Sequence, residues 1–469
     1  MYKKILLSSA IAVALGTSGF AQAITLDSDS TDAISYASEI TVDGTSGTAL
    51  ANSTNQELAA PLGFRIAAGA NRFIRIDLGA DAEFDGTPTI VNSVPFQTDN
   101  IAAGGAGESF VIFEVTGTST GTSTSTSGNA PAETVTVTPG TGITVFSESA
   151  VTATYALFET GAAAANAGTS LSTKTDTVYK FASGLATDVE DASEKEIDVA
   201  TNSTEFTTAT VTDSPIAALS IGAASGVLWT GGSAVTLSDM VTSATTLEVT
   251  GDFSAALDVN GVLDVTKVNL VNYGNVDTLT ATKATFDLGT AALASTSNVL
   301  TMTVDGTSTI APISYTGLYN VTAASNSDLA DKDLGTLSTL SKNGATANAN
   351  LVLTPSTEGG VFKNFIRVSN TSSITGDVFM RVYNDLGDSV ALDLSDIEGQ
   401  SSNELVKNGS TALISVDAIY AAAQTKDSAF EVSGSDRNKL RLVIEGNFTT
   451  INADNVSVSR DNQSFSTFQ

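Results

Sequence analysis

The sequence contains no cysteine and no histidine, and its only tryptophan is Trp229. Without histidine there is no Ser-His-Asp triad, no imidazole general base and no His-ligated zinc. Without cysteine there is no thiol nucleophile, no thiolate ligand and no disulfide. The fold must therefore rest on backbone pairing and packing, with bound ions or neighbouring subunits as further sources of stability. Basic residues are scarce, 21 against 51 acidic ones, for a formal net charge of −30. Such a surface repels nucleic acid and bare anionic lipid, suits salty water where self-repulsion is screened, and attracts divalent cations.

Other absences narrow the chemistry further. Gly104-Gly-Ala-Gly107 lacks the lysine and the helix of a phosphate-binding loop. Aromatic residues make up 6% of the chain, too few for the platforms of a sugar site or the girdles of an outer-membrane barrel. The expectation is that the chain is not an enzyme. Long apolar runs are also missing. Ile5–Leu15 is too short to span a membrane, and it lies between Lys3-Lys4 and an Ala21-Gln22-Ala23 site. That arrangement describes a cleaved secretory signal over residues 1–23, hence an exported chain with no transmembrane segment.

What is present reads as β-structure. Val361–Asn370 and Gly376–Gly387 alternate apolar and polar residues with period two and are separated by an Asn-Thr-Ser-Ser-Ile-Thr turn. Similar runs occur at Arg72–Leu78, Phe110–Val115, Glu133–Thr138, Val151–Phe158, Thr177–Phe181, Thr208–Val211, Leu247–Thr250, Lys267–Leu270, Leu279–Leu288 and Leu300–Val304. The Thr/Ser/Gly-rich run Thr116–Asn129 reads as the tip of a hairpin joining the strands on either side, or as a linker. Helical signals are few: Ser415–Gln424, with Ser415 as N-cap and Asp417 in the first turn, and the short Leu237–Met240. The fold class is mainly β, a multi-domain chain of Ig-like β-sandwich modules with a few short helices.

Four local patterns recur in the same order. Phe73-Ile-Arg-Ile76 matches Phe365-Ile-Arg-Val368, and Tyr155–Gly161 resembles Met380–Gly387. Gly232–Asp239 resembles Gly409–Asp417, and Leu247–Ser254 matches Leu442–Thr449. The order suggests two related sandwiches. With the signal at 1–23, the expected organisation is an N-terminal β domain with a long insertion (24–255), an intermediate β segment (256–345) and a C-terminal sandwich (346–469). Phe73, Ile74, Phe365 and Ile366 are expected in cores, and Arg75 and Arg367 are each expected to meet a carboxylate. The candidate chemistry is calcium binding through hard oxygen ligands in acidic turns: Asp328, Asp331 and Asp333; Asp385 and Asp388; Asp252, Asp258 and Asn260. None of these reproduces the twelve-residue calcium loop, and solvated acidic turns are the competing reading.

The signal, the acidic Cys- and His-free composition, and the Lys342-Asn-Gly … Phe362-Lys-Asn-Phe-Ile-Arg-Val-Ser-Asn370 … Gly376-Asp-Val-Phe379 module together resemble surface-layer (S-layer) proteins of marine Gram-negative bacteria, of the Pseudoalteromonas type. The resemblance covers composition over most of the chain and motif over about 340–450. It implies a cell-surface protein that self-assembles into a two-dimensional lattice, often held by calcium, with lipopolysaccharide of the outer membrane as anchor. A secreted adhesin or biofilm-matrix fibre subunit shares this composition and is the alternative.

Overall fold

The computed structural model describes residues 23–26, 33–51, 57–79, 81–91, 96, 98–118, 130–190, 196–207, 213–289, 296–353, 362–432, 439–459 and 465–468. Residues 1–22 of the expected signal, most of the Thr/Ser/Gly run and the expected strand at Thr208–Val211 lie outside them. The protein is mainly β, with many sheets and, among the described residues, three short α-helices. The described chain divides into two compact units. One comprises residues up to Ala186 with Gly222–Val241 and Ala323–Leu329; the other comprises Thr187–Ile221, Thr242–Thr322 and Ala330–Gln469.

The first unit is built on a seven-stranded sheet. Its order is Val227–Leu228, Ile34–Ala37, Ser172–Ala182, Val151–Phe158, Asn71–Leu78, Phe110–Thr116 and Thr98–Gly104. In Asn71–Leu78 the alternation buries Ile74, Ile76 and Leu78 on one face. Phe73, Arg75 and Asp77 point to the other, half-buried face. There the one-turn helix α1 (Gly161–Ala165) packs Ala163 and Ala164 with Phe73, Phe110, Ile112 and Phe158. Five residues are too few for a helix to persist alone, so α1 depends on that packing and on its caps. Thr134–Thr138 pairs with Glu57–Pro61 and Thr89–Val91, in a different sheet from Phe110–Thr116. The Thr/Ser/Gly run therefore connects two sheets and is not the tip of a hairpin.

The second unit contains two sandwich-like layers in succession. In the first, Thr278–Thr280, Lys283–Asp287, Thr246–Thr250, Ser314–Asn320 and Lys332–Thr339 form a five-stranded sheet. The Ser338 hydroxyl in its edge strand donates to the Ile216 carbonyl of a second sheet, whose members include Asp213–Ala223, Thr296–Thr303 and Val268–Leu270. Thr246–Thr250, which the sequence patterns assign to the end of an N-terminal domain, is the central strand of the first of these sheets. The C-terminal part closes its own sandwich. One sheet is ordered Ala345–Leu353, Lys439–Gly446, Gly376–Tyr383, Ser389–Asp393; the other is Ile414–Ser415, Phe362–Asn370, Ile451–Ser459, Phe465–Phe468. Ile366, Val368, Val378, Met380, Val382, Leu442 and Ile444 make one core between them. Helix α2 (Leu237–Met240) belongs to the first unit. Helix α3 (Val416–Lys426) belongs to the second, with Ser415 Oγ accepting from Ala418 N at 3.2 Å and Ile419 and Ala423 added to the C-terminal core.

Two sequence expectations need correction. The turn expected between the two strongest runs joins Phe362–Asn370 to Gly376–Tyr383, but these consecutive strands lie in opposite sheets, so it crosses the sandwich and does not pair its neighbours. The repeat also fails as topology. Asn71–Leu78 pairs directly with Val151–Phe158, Ile76 opposite Tyr155, whereas their expected counterparts Phe362–Asn370 and Gly376–Tyr383 do not share a sheet. The last two patterns fare better: each places a short capped helix ahead of an internal strand that ends in Gly-Asp/Asn-Phe, with Phe253 and Phe448 both buried.

Candidate functional site

The acidic turns are the first place to look, and several of their carboxylates accept from backbone amides two residues on. Asp258 Oδ1 accepts from the amides of Asn260 at 2.8 Å and Val262 at 2.9 Å, and its Oδ2 accepts from the Asn260 side-chain amide at 3.0 Å. Asp252 accepts from Ser254 N and Ala311 N, Asp331 from Val321 N, and Asp333 from Gly335 N. Asp388 Oδ2 accepts from the Asn384 side-chain amide, and Asp385 is exposed in the same turn. Asp328, in the first unit, donates its amide to the Glu39 carbonyl. Asp43, Asp264, Asp305 and Asp427 show the same bond to the amide two residues on. These are Asx turns, in which a short carboxylate imitates a backbone acceptor. Among the described residues no three acidic side chains gather so that they could hold a metal ion. Of the eight residues expected as calcium ligands, Asp328 lies in the first unit and the other seven are spread over the second.

The turns carry an electrostatic consequence. The Asp258 carboxyl is held below its ordinary value by the Val262 amide, then by Asn260. Asp264 is lowered by the Thr266 hydroxyl and amide, and Asp43 by the Ser46 hydroxyl and the Thr45 and Ser46 amides. At Asp305 burial pulls upward, but the amides and hydroxyls of Ser308 and Thr307 outweigh it and the net direction is down. Glu148 moves the other way, raised by burial and by the neighbouring charges of Asp328 and Glu39. A carboxylate lowered on folding contributes stability above its unfolded value and loses it as pH falls through the folded one. The unfolding midpoint is therefore expected to be level from neutrality to about pH 5 and to fall below about pH 4, and a urea titration at stepped pH measures it. A midpoint that rises on acidification would show that the turns do not govern the acid limb.

A second cluster is buried and joins the two sandwiches of the second unit. Glu445 lies in the strand Lys439–Gly446 and is 5% exposed. Its carboxylate accepts from the Lys342 ammonium and from the Ser203 hydroxyl, which reaches both oxygens, at 3.0 and 2.9 Å. Lys342 and Glu445 keep only 13% and 7% of their side-chain surfaces exposed. Beside them Asn343 donates to Asp198 Oδ1 at 3.0 Å and accepts from Val199 N at 3.0 Å. Glu196–Ile197 and Ser341–Lys342 form a two-residue parallel ladder. Arg381 of the C-terminal sandwich donates to the Asn202 carbonyl at 3.4 Å. A Cβ on Gly344 would strike the Gly446 carbonyl, so the connector lies directly on the strand that carries Glu445. Sequence reasoning missed this cluster because its charged and hydroxyl members come from positions 203, 342 and 445. The only local signal was the Lys-Asn-Gly at 342–344.

Arg75 meets a carboxylate as expected. It contacts Asp77 through Nε and Nη2, at 2.5–2.8 Å. Arg367 is exposed and stands opposite Asp454 in register, with no ion pair within 4.0 Å among the described residues.

No protein-family model matches the chain, and no curated protein does. Among solved structures, the major pilin subunit of Bacillus cereus aligns with 73% of this chain and 82% of its own, at 8% identity and a TM-score of 0.19. A tetra-tandem repeat from the extending region of a large adhesion protein aligns with 90% of this chain and 72% of its own, at 14% identity and a TM-score of 0.19. A serine-rich repeat protein of Streptococcus agalactiae aligns with 61% and 92%, at 9% identity and a TM-score of 0.18. Scores this low do not establish a shared fold, and no function is transferred from them.

Proposed function

We propose that this chain is a structural cell-surface protein that is exported and self-assembles into a two-dimensional S-layer lattice on a Gram-negative outer membrane, with no catalytic role. The observation that carries the reading is the buried polar junction in the second unit, which binds consecutive β-sandwiches into one compact body. A lattice subunit needs rigid modules, because contacts that repeat without closing propagate an array only when each subunit presents the same geometry. The acidic surface keeps free subunits soluble. The Asx turns tie the loops between strands to their own backbone amides. Anchoring to lipopolysaccharide is part of the same proposal and is carried by the family resemblance.

Electron microscopy of cells and of purified protein, with and without a calcium chelator, tests the reading. A periodic sheet is the expected result, and its loss on chelation would locate a cation at the contacts between copies. Isolated fibres would favour an adhesin or matrix-fibre subunit. Dispersed single particles under every condition would overturn self-assembly.

A further inference from the structure

We infer that Glu445, Lys342 and Ser203, with Asn343 and Asp198, form a conformational lock that makes the middle and C-terminal sandwiches of the second unit a single rigid body. The default for sandwiches joined in tandem by a short connector is relative motion, since such interfaces are modest and polar. Three observations set this junction apart.

The first is desolvation. A carboxylate 5% exposed and an ammonium with 13% of its side chain exposed are out of water, and each is tolerable there only while it holds the other. Separating the sandwiches at this point would uncouple Glu445 from both Lys342 and Ser203, and a half-satisfied buried network is unfavourable. The lock is therefore cooperative: its members are engaged together or not at all.

The second is backbone strain. Asn202 and Ser203 have φ of 58° and 60°, two consecutive non-glycine residues in the left-handed region. Such a conformation persists where its surroundings over-determine it. Here the Ser203 amide donates to the Asp198 carbonyl, its carbonyl accepts from the Ile310 amide, its side chain is fully buried on Glu445, and the Asn202 carbonyl accepts from Arg381. The strained loop is thus held from both sides, by Ile310 of the middle sandwich and by Glu445 and Arg381 of the C-terminal one.

The third is that the connector is itself paired. Ser341 and Lys342 continue a ladder with Glu196 and Ile197, Asn343 donates its amide to the Ile197 carbonyl, and Gly344 lies against Gly446. No slack remains between the last residue of one sandwich and the first strand of the other.

The absence of native cysteine makes the test direct. Val262 in the middle segment and Val406 in the C-terminal sandwich are 61% and 56% exposed, so Val262→Cys and Val406→Cys in the full chain accept a pair of spin labels. Pulsed electron-electron resonance of the parent pair is expected to give one narrow distance. Adding Glu445→Gln, which keeps the shape and removes the charge, is expected to lose the single peak to a broad or bimodal distribution. Trp229 fluorescence, which belongs to the first unit, is expected to stay unchanged. Lys342→Met and Asn343→Ala, measured in the same way, cover the case in which Glu445→Gln does not fold. A broad distribution in the parent would overturn the inference. So would peaks as narrow as the parent's in every variant that folds, and so would failure of all three variants to fold, since the cluster would then be a folding requirement and not a lock between folded sandwiches. Lattice formation is scored separately, so a rigid chain that makes no sheet would count against the proposed function and leave the lock standing.

Discussion

Replacing Gly251 by alanine is expected to destabilise the second unit by about 2–4 kcal/mol. Gly251 follows the central strand Thr246–Thr250, and its φ lies outside the left-handed region, so backbone conformation is not what demands glycine there. Space is. A Cβ would fall on the ring of Tyr315, at Cδ1 and Cε1. Tyr315 has no room to retreat. It is fully buried, its hydroxyl donates to the Asp252 carbonyl at 2.5 Å, and its ring meets Phe253 edge-on at 5.4 Å. Its strand is held on both sides, Thr316 opposite Thr250 and Tyr315 opposite Ser338. Displacing the ring would open a void and strip the Asp252 carbonyl of its donor, which are separate costs. A urea melt followed by far-ultraviolet dichroism reads the loss, while the Trp229 fluorescence transition of the first unit is expected to stay in place. Gly231→Ala is the control: nothing lies within 4 Å of its Cβ and its φ is ordinary, so an effect within about 0.5 kcal/mol is expected. Equal losses at the two positions would show that packing against Tyr315 is not what Gly251 provides.

The same tripeptide shows how far the sequence could be read. Gly446-Asn447-Phe448 also sets its glycine under an aromatic ring, but there the ring is its own Phe448, whereas at Gly251 it is Tyr315 of the neighbouring strand. The recurrence of Gly-Asp/Asn-Phe was therefore a local signal for a glycine with an aromatic over it at the end of an internal strand, and not for which residue supplies the ring. It did not extend to the whole domain. Period-two alternation reports which side of a strand is buried, as at Ile74, Ile366 and Met380, but carries no information on which strand lies beside it. For that reason the five residues between Phe362–Asn370 and Gly376–Tyr383 read equally as a hairpin turn and as the crossing between sheets that they are. Helix α3 was legible from Ser415 and Asp417, because a cap is local. Helix α1 was not, although its alanines favour a helix and Thr160 caps it, because five residues are too short to show a helical period. The aspartates were ambiguous for a chemical reason: a carboxylate followed by Ser, Thr, Gly or Asn two positions on suits both an Asx turn and an oxygen ligand. The difference lies in whether further carboxylates converge.

Arg75→Ala is expected to cost the first unit about 2–4 kcal/mol, and in a unit of this size to lower its melting temperature by roughly 5–10 °C. The side chain is 11% exposed and engages three different partners at once. Nε and Nη2 clasp Asp77 on the same strand face, Nη1 donates to the carbonyls of Ala164 at 2.8 Å and Ala165 at 3.1 Å, and the guanidinium lies over the Phe110 ring at 4.5 Å. The Ala164 carbonyl also accepts from Ala167 N at 3.3 Å, and the planar fork adds the donors that reach Ala164 and Ala165 together, while Thr160 Oγ1 accepts from Ala163 N at the other end. Arg75 thus ties an internal strand to the helix that roofs it, and its loss would leave Asp77 without its cation and remove the side-chain donor from the C-terminal end of α1. Arg75→Lys separates charge from shape: an ammonium can neutralise Asp77 but cannot reach two carbonyls and a carboxylate together, so recovery of less than half the loss is expected. Arg367→Ala, at an exposed site with no ion pair within 4.0 Å among the described residues, is expected to change stability by no more than about 0.5 kcal/mol. Trp229 fluorescence melts read the two Arg75 variants, because the only tryptophan sits in the unit that Arg75 holds together, and a urea melt followed by far-ultraviolet dichroism reads Arg367→Ala in the second unit. If Arg75→Ala and Arg367→Ala melt alike, the two Phe-Ile-Arg strands are equivalent after all, and the clasp on α1 contributes nothing to the stability of the first unit.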